Sequence, residues 1–255
     1  MKSQAVFSKK DLTIVTASIL LVIMNIGAIN KTGRRRAKEM VCLSNLRQWG
    51  VVFEMYTQDN NGNFFNGRGS GSGLWWIELL EPYYKDTKLL RCPETAEPLR
   101  AGIAQTRFRA WKSSNYIGSY GPNGWICNPH LSSLWGRGPI SDYWRRPGIR
   151  GLTNIPVFSD MWYVDAWPRY FDVPPMSDGP PLDRTNVDEM KRVCVNRHNA
   201  ALNILFMDWS ARKVGLKELW TLKWHRSFNT EGPWTKAGGV QPGDWPQWMR
   251  NFKEY

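Results

Sequence analysis

The sequence predicts an α+β protein in which one long N-terminal helix, transmembrane and then amphipathic, packs on a small antiparallel sheet, with large loop-rich insertions of Trp, Gly and Pro. Three observations predict this fold class. An uncharged run from Leu12 to Ile29 opens the chain. A stripe of apolar residues at helical spacing follows it, and short apolar runs that are typical of strands lie nearer the C-terminus.

The uncharged run is long enough to predict a membrane anchor. It contains 18 residues, and about 18 or more residues without charge can cross a bilayer core. A cleaved signal peptide is the alternative, but the run is longer than the usual signal core and no small-x-small cleavage site follows it. We therefore expect residues 1–38 to form a leader, anchor and basic juxtamembrane segment, and residues 39–255 to form one soluble head.

Beyond the anchor, the pattern predicts that the helix continues. Cys42, Leu46, Trp49, Phe53 and Tyr56 recur at intervals of four and three, which places them on one face of a helix. The turn-forming run from Asn60 to Gly62 is expected to end it. A short anchor followed by an unrelated core helix remains the alternative.

The head is predicted to contain a few short regular elements. Two helices are expected, over Leu74–Leu80 and Leu216–Phe228. Strands are expected over Ile155–Asp160, Leu202–Asp208 and Ser210–Val214. The glycine-rich segment from Gly67 to Gly73 predicts a mobile loop, and it lacks the spacing of a dinucleotide or phosphate-binding loop.

The charge is distributed unevenly. The formal net charge is +12, and residues 1–38 contribute +7 of it. A basic excess beside an apolar run suits anionic lipid headgroups better than a nucleic-acid groove. The positive-inside rule would keep the basic flank in the cytoplasm, so charge alone does not fix the orientation. Nucleic acid is an unlikely partner, although the run from Arg107 to Lys112 has a suitable composition.

Fifteen tryptophans are the most unusual compositional feature. Such residues more often fill the core of a head that is poor in regular structure. The alternative is that exposed rings, such as Trp75 and Trp76, stack on sugars. That alternative predicts a membrane-tethered, Trp-rich, extracytoplasmic carbohydrate-binding module that does not polymerise and has polysaccharide as its partner.

Two motifs, at opposite ends of the chain, carry a resemblance to a known family. Near the start, Val6, Phe7, Ser8 and Asp11 precede the apolar run, and Cys42-Leu43-Ser44-Asn45-Leu46 follows thirty residues after Asp11. Near the end, nine residues separate His198 from Asp208, with Trp209 next. This arrangement resembles type IV pilins and type II secretion pseudopilins, and the second motif resembles their His-x9-Asp-Gly motif with Gly replaced by Trp. The departures are Val6 in place of a small residue, Lys9 and Lys10 in place of apolar residues, and Trp209.

The resemblance implies a structural role. It implies cleavage and N-methylation at Val6 and Phe7, and assembly through pairing of Asp11 with the N-terminal amine of a neighbouring subunit. It also implies a single-pass membrane protein with a periplasmic or cell-surface head. The partners implied are membrane lipid, other pilin-like subunits and components of a secretion machine. No enzyme signature, cofactor or metal ion is expected.

The cysteines and histidines give further candidates. Cys42, Cys92, Cys127 and Cys194 contain no Cys-x-x-Cys pair, so an exported head predicts disulfides. Of three pairings we favour Cys42 with Cys92 and Cys127 with Cys194; four buried thiols are the alternative.

His198 and Asp208 are a candidate pair, for which only Asp160 and Asp165 are plausible additional metal ligands. Turn capping is the simpler interpretation of the pair. His225 is expected on a solvated helix face.

Overall fold

The computed structural model describes residues 9–67, 75–95, 108–113, 115–129, 137–148, 151–179 and 188–255. Side chains 9, 12 and 23–31 are not part of this description. The chain divides into two compact units, Met1–Lys38 and Glu39–Tyr255. The helices are α1 (Lys9–Asp59), α2 (Trp76–Leu80) and α3 (Met190–Val193). The strands are β1 (Trp111–Ser113), β2 (Tyr116–Gly118), β3 (Tyr120–Pro122), β4 (Pro156–Asp160), β5 (Ala201–Phe206) and β6 (Ala211–Gly215).

The predicted membrane anchor is contradicted. Among the residues that the structure describes, no helix has both the length and the apolar character needed to cross a membrane. Residues 23–29 of the predicted anchor lie outside the described side chains. The predicted single-pass localisation with an extracytoplasmic head is therefore wrong for the part of the chain that is described.

In the second unit, residues 39–59 of α1 bury the face that the spacing predicts. Cys42, Leu46, Trp49 and Phe53 are fully buried and Tyr56 is 8% exposed. On the β4 side, Phe158 receives this face, with its ring centroid 4.7 Å from that of Trp49 and 5.4 Å from that of Phe53. The helix ends at Asp59, directly before the predicted stop.

The main sheet has four antiparallel strands in the order β3-β4-β5-β6. All six residues of β5 are buried, because the strand lies inside the sheet and is covered on both faces. A bulge between Pro156 and Phe158 shifts the register of β4 against β5. Strands β1 and β2 form a separate two-stranded sheet. The sheet brings the end of β4 next to the start of β5, which positions the site described below.

The predicted fold class is also wrong. It required a transmembrane helix on one small sheet, whereas the described chain has two antiparallel sheets and, besides α1, helices of only five and four residues. The predicted helix Leu216–Phe228 is a 3-10 turn over Lys217–Thr221. Beyond that turn the backbone forms hydrogen bonds with another segment instead of continuing the helix. The Lys223 N–H, for example, donates to the Asn154 carbonyl. His225 consequently lies in the core, 6% exposed, with its ring 4.7 Å from that of Trp125.

The turn between β5 and β6 contains the Trp that replaces Gly. Trp209 has a φ of 63°, a left-handed conformation that favours glycine. Its ring stacks on Phe53, with centroids 6.3 Å apart and planes at 5°. The packing of the ring against α1 therefore stabilises a turn whose backbone is strained. Of the predicted Gly67–Gly73 loop, only Gly67 lies among the described residues.

Candidate functional site

Four side chains with metal-ligating or nucleophilic chemistry meet in the core of the second unit. They come from four separate segments: Cys42 from α1, Cys92 from a loop, Asp160 from the end of β4 and His198 from just before β5. One ligand atom of each lies within 4.8 Å of the other three. All four residues are at most 4% exposed. We call them the four-residue cluster.

Local structure fixes each member of the cluster. Cys42 lies on the buried stripe of α1. The Cys92 N–H donates to Ser119 Oγ at 2.7 Å. Asp160 is opposite Tyr120 in the β3–β4 register. His198 closes a tight turn in which its N–H donates to the Ala201 carbonyl at 2.9 Å.

The distances inside the cluster are short. His198 Nε2 lies 3.3 Å from Asp160 Oδ2 and 3.5 Å from Cys92 Sγ. Cys42 Sγ lies 3.5 Å from the same Asp160 oxygen. The Tyr120 hydroxyl donates to Cys42 Sγ at 3.2 Å. Every polar atom of the cluster named here therefore has a partner inside the protein, as burial requires.

Arg197 holds the other oxygen of Asp160. Its side chain is fully buried, and Nη1 donates to Asp160 Oδ1 at 2.9 Å. The guanidinium also donates to the carbonyls of Ser119, Arg109 and Met161. The planar donor fork of arginine can serve several acceptors at once. Arg197 thus joins the cluster to three backbone segments.

The charges in the cluster are strongly coupled. Burial opposes ionisation of Asp160, but His198 and Arg197 hold the pKa of its carboxyl below the usual value. Burial also opposes protonation of His198, yet its bonds to Asp160 and Cys92 raise the pKa of the imidazole to about 10.

The two thiols differ in their electrostatics. Burial, with Cys92 and Asp160 adding to it, raises the pKa of Cys42 well above its usual value. Burial acts the same way on Cys92, but hydrogen bonds with Cys42 and His198 lower the pKa of this thiol. Cys92 is therefore the better thiolate of the pair, and it also lines an open groove of about 810 Å³ beside α1. The arrangement has the donors for a soft divalent cation and the paired thiols for redox chemistry.

The predicted pair of His198 and Asp208 is not brought together. The two residues lie beyond opposite ends of β5, a six-residue strand of about 20 Å. Asp208 instead accepts from the N–H and hydroxyl of Ser210 in the turn, which is the capping role. Of the two additional candidates, Asp160 joins His198, whereas Asp165 forms an ion pair with Arg192 at 3.6 Å.

The four cysteines are free and buried, where two disulfides were expected. The favoured partners Cys42 and Cys92 are neighbours in the cluster, as thiols. Cys127 faces the charge of Asp165, and Cys194 follows α3. Burial raises the pKa of both Cys127 and Cys194, which keeps these thiols protonated.

The N-terminal candidates are only partly within the described chain. The processing residues Val6 and Phe7 lie outside the described residues. Asp11 lies in the first turn of α1 and is exposed. A carboxylate there complements the helix dipole, whether or not it also meets an amine.

The tryptophans mostly pack in the core. Trp135 lies outside the described residues. Ten of the others are buried: Trp49, Trp76, Trp111, Trp125, Trp144, Trp162, Trp167, Trp220, Trp224 and Trp245. A sugar-stacking platform needs flat exposed rings, so the described head favours packing as the role of these side chains.

Sequence reasoning missed Arg197 and the joining of both thiols to His198. Arg197 precedes His198 directly, and this adjacency of a basic residue to the candidate histidine is the signal that the sequence offers. No family model, no curated protein and no solved structure matches the chain. The site is therefore interpreted from its own geometry.

Proposed function

We propose that the protein is a non-enzymatic structural subunit of a pseudopilus-like or pilus-like assembly, and that α1 is the element through which copies associate. The observation that carries the proposal is an exposed apolar strip on the helix. In the second unit Met40, Val51 and Met55 are 57%, 55% and 46% exposed. At 100° per residue they fall within about 60° of one another.

The opposite face of the same helix is already used. Cys42, Trp49 and Phe53 hold α1 in the core of the head, so the exposed strip is left for another molecule. Exposed Ser44 and Arg47 lie on the same face between Met40 and Val51, so the apolar part of the strip is its Val51–Met55 end. Exposed apolar surface of this kind marks an interaction site in soluble domains. Within the first unit α1 also exposes Ile14 and Leu21, at 65% and 66%. Apolar side chains are thus available along much of the helix.

The occupant that we propose is α1 of a second copy. Two helices pack by fitting the side-chain ridges of one into the grooves of the other, at an axial distance of about 8–10 Å. A strip of Met and Val can supply such ridges. Asp11, exposed near the start of α1, would then pair with the N-terminal amine of a neighbour, as the resemblance to pseudopilins implies. The partners are therefore other pilin-like subunits and components of a secretion machine.

Site-specific photo-crosslinking in cells that make the full chain tests the proposal. A photoreactive amino acid replaces Val51 in one variant and Met176 in a control, because Met176 is 84% exposed but lies outside α1. We expect cross-linked dimers from position 51 only, with the captured peptide lying in α1. Cross-linking that is equal at both positions, or absent from position 51, would overturn the proposal.

A matched pair of charge substitutions separates assembly from folding. Val51→Glu places a carboxylate on the strip, whereas Gln247→Glu adds the same charge at an exposed position outside α1. Both variants should retain the thermal unfolding midpoint of the parent, since neither side chain is buried. Only Val51→Glu should reduce the cross-linked assemblies. If both variants assemble normally, the strip is not the contact.

A further inference from the structure

We propose that the head holds one structural Zn²⁺ ion, bound by Cys42, Cys92, Asp160 and His198. This inference is independent of the assembly proposed above. It starts from the donor set, which supplies two sulfurs, one imidazole nitrogen and one carboxylate oxygen. Zinc in structural sites takes four such ligands in tetrahedral geometry, and thiolate with imidazole is its preferred combination.

The spacing of the donors fits a tetrahedron. Bonds of about 2.3 Å to sulfur and about 2.0 Å to nitrogen or oxygen give tetrahedral edges of about 3.3–3.8 Å. Three of the six edges are already 3.3 Å, 3.5 Å and 3.5 Å. The remaining donor pairs lie within 4.8 Å. Closing the site thus requires a movement of about 1.3 Å at most for any pair, which side-chain rotation supplies.

The charges balance with the ion in place. Two thiolates, one carboxylate and one divalent cation sum to one negative charge, and the buried Arg197 guanidinium cancels it. A buried group of charges is tolerated when it is neutral overall and hydrogen-bonded. Each Cys that binds as a thiolate releases its proton, and the protonated His198 imidazole must release one as well, so metal binding at neutral pH is accompanied by proton release.

The outer contacts resemble those that support metal sites. Arg197 occupies Asp160 Oδ1 and leaves Oδ2 directed at the other donors. Tyr120 donates to Cys42 Sγ at 3.2 Å, a contact that stabilises thiolate. Such second-layer hydrogen bonds orient ligands and adjust affinity.

A disulfide between Cys42 and Cys92 is the competing interpretation. It would use both sulfurs but no atom of His198 or Asp160, whose convergence on the thiols would then serve only packing. A zinc site uses all four side chains. The two possibilities differ in mass, in thiol count and in metal content, so one preparation distinguishes them.

The test uses the full-length chain purified without chelator. One half of the preparation is kept free of thiol reductant for the mass and the thiol count, and the other half is kept in reductant for the metal analysis. Elemental analysis should find one zinc per chain. After exchange, Co²⁺ should give the visible absorption of a tetrahedral site and the charge-transfer bands of two thiolates. The control is Cys127→Ser with Cys194→Ser, which removes the two cysteines outside the cluster and should keep both signals. His198→Gln and Cys92→Ser should lose the zinc and the cobalt bands.

If the site variants fail to fold, the measurements on the parent protein are sufficient to decide the outcome. Parent chain that takes up no Co²⁺ into a thiolate site overturns the proposal, as does a Cys42–Cys92 disulfide in the native protein without zinc. Loss of the cobalt bands in the control double variant would place the metal elsewhere and also overturn it. Removing zinc with a chelator should lower the thermal midpoint of the parent, and adding zinc back should restore it.

Discussion

Arg197 offers the sharpest test of how the core of the head is held. Arg197→Met removes one of the two cations that face Asp160, the other being His198, and leaves three backbone carbonyls without this donor. Removing one partner of a buried ion pair costs about 3–5 kcal/mol. The freed carbonyls add to this in a non-additive way. We expect Arg197→Met to lower the free energy of unfolding by at least about 4 kcal/mol, a large share of the 5–15 kcal/mol typical of a domain.

Urea unfolding followed by tryptophan fluorescence measures this loss. Arg212→Met is the matched control, because Arg212 pairs with Glu218 at 2.6 Å but has a side chain that is 40% exposed. An exposed pair contributes about 0–1 kcal/mol. If Arg197→Met costs no more than Arg212→Met, the buried network does not hold the head together.

Three further predictions concern the rest of the core. Burial lowers the pKa of His225 to about 4, below about 6.5 in the unfolded chain. The unfolded state therefore binds the extra proton between these values, so stability falls as pH drops through this window. Urea titrations at pH 7 and pH 5 should show a fall about 2 kcal/mol larger in the parent than in His225→Phe, and equal falls would contradict the burial argument. At Trp209, with φ of 63°, calorimetry should find the Gly variant more stable than the Ala variant by about 1 kcal/mol and both less stable than the parent; the opposite order would exclude backbone strain. Gly124→Ala would bring a Cβ to 2.0 Å from the Trp167 ring, so it should cost about 1–3 kcal/mol or more, whereas Gly243→Ala, with nothing within 4 Å, should change the thermal midpoint little.

The predictable parts of the fold are those with a local signal. The spacing from Cys42 to Tyr56 predicts a buried helix face, and the structure buries it. Strands β4, β5 and β6 lie within one residue of the predicted runs at most ends. These features depend on side-chain periodicity over a few residues, which a sequence displays directly.

The features that were missed depend on contacts between distant residues. His225 is polar and lies in a basic-aromatic run, but the ring of Trp125, from a distant segment, packs on it together with that of Phe228. The composition of Leu216–Phe228 favours a helix. Its backbone instead forms a hydrogen bond with the 152–154 turn, where the Asn154 carbonyl accepts. Likewise nothing local to Cys42 indicates Asp160, because 118 residues separate them. Tertiary bonds of this kind override local propensity.

The wide separation of the cluster members bears on how the chain is synthesised. Joining residues 118 apart costs about 4 kcal/mol of loop-closure entropy, which only the completed set of contacts repays. A ribosome releases α1 early but β4 and β5 late, so the inner face of the helix waits through most of translation without its permanent neighbours. Nascent chains that stop before Phe158 therefore lack the ring that packs on Trp49 and Phe53, and they expose this face to chaperones and proteases. The head is expected to acquire its resistance to proteolysis in one late step rather than gradually along the chain.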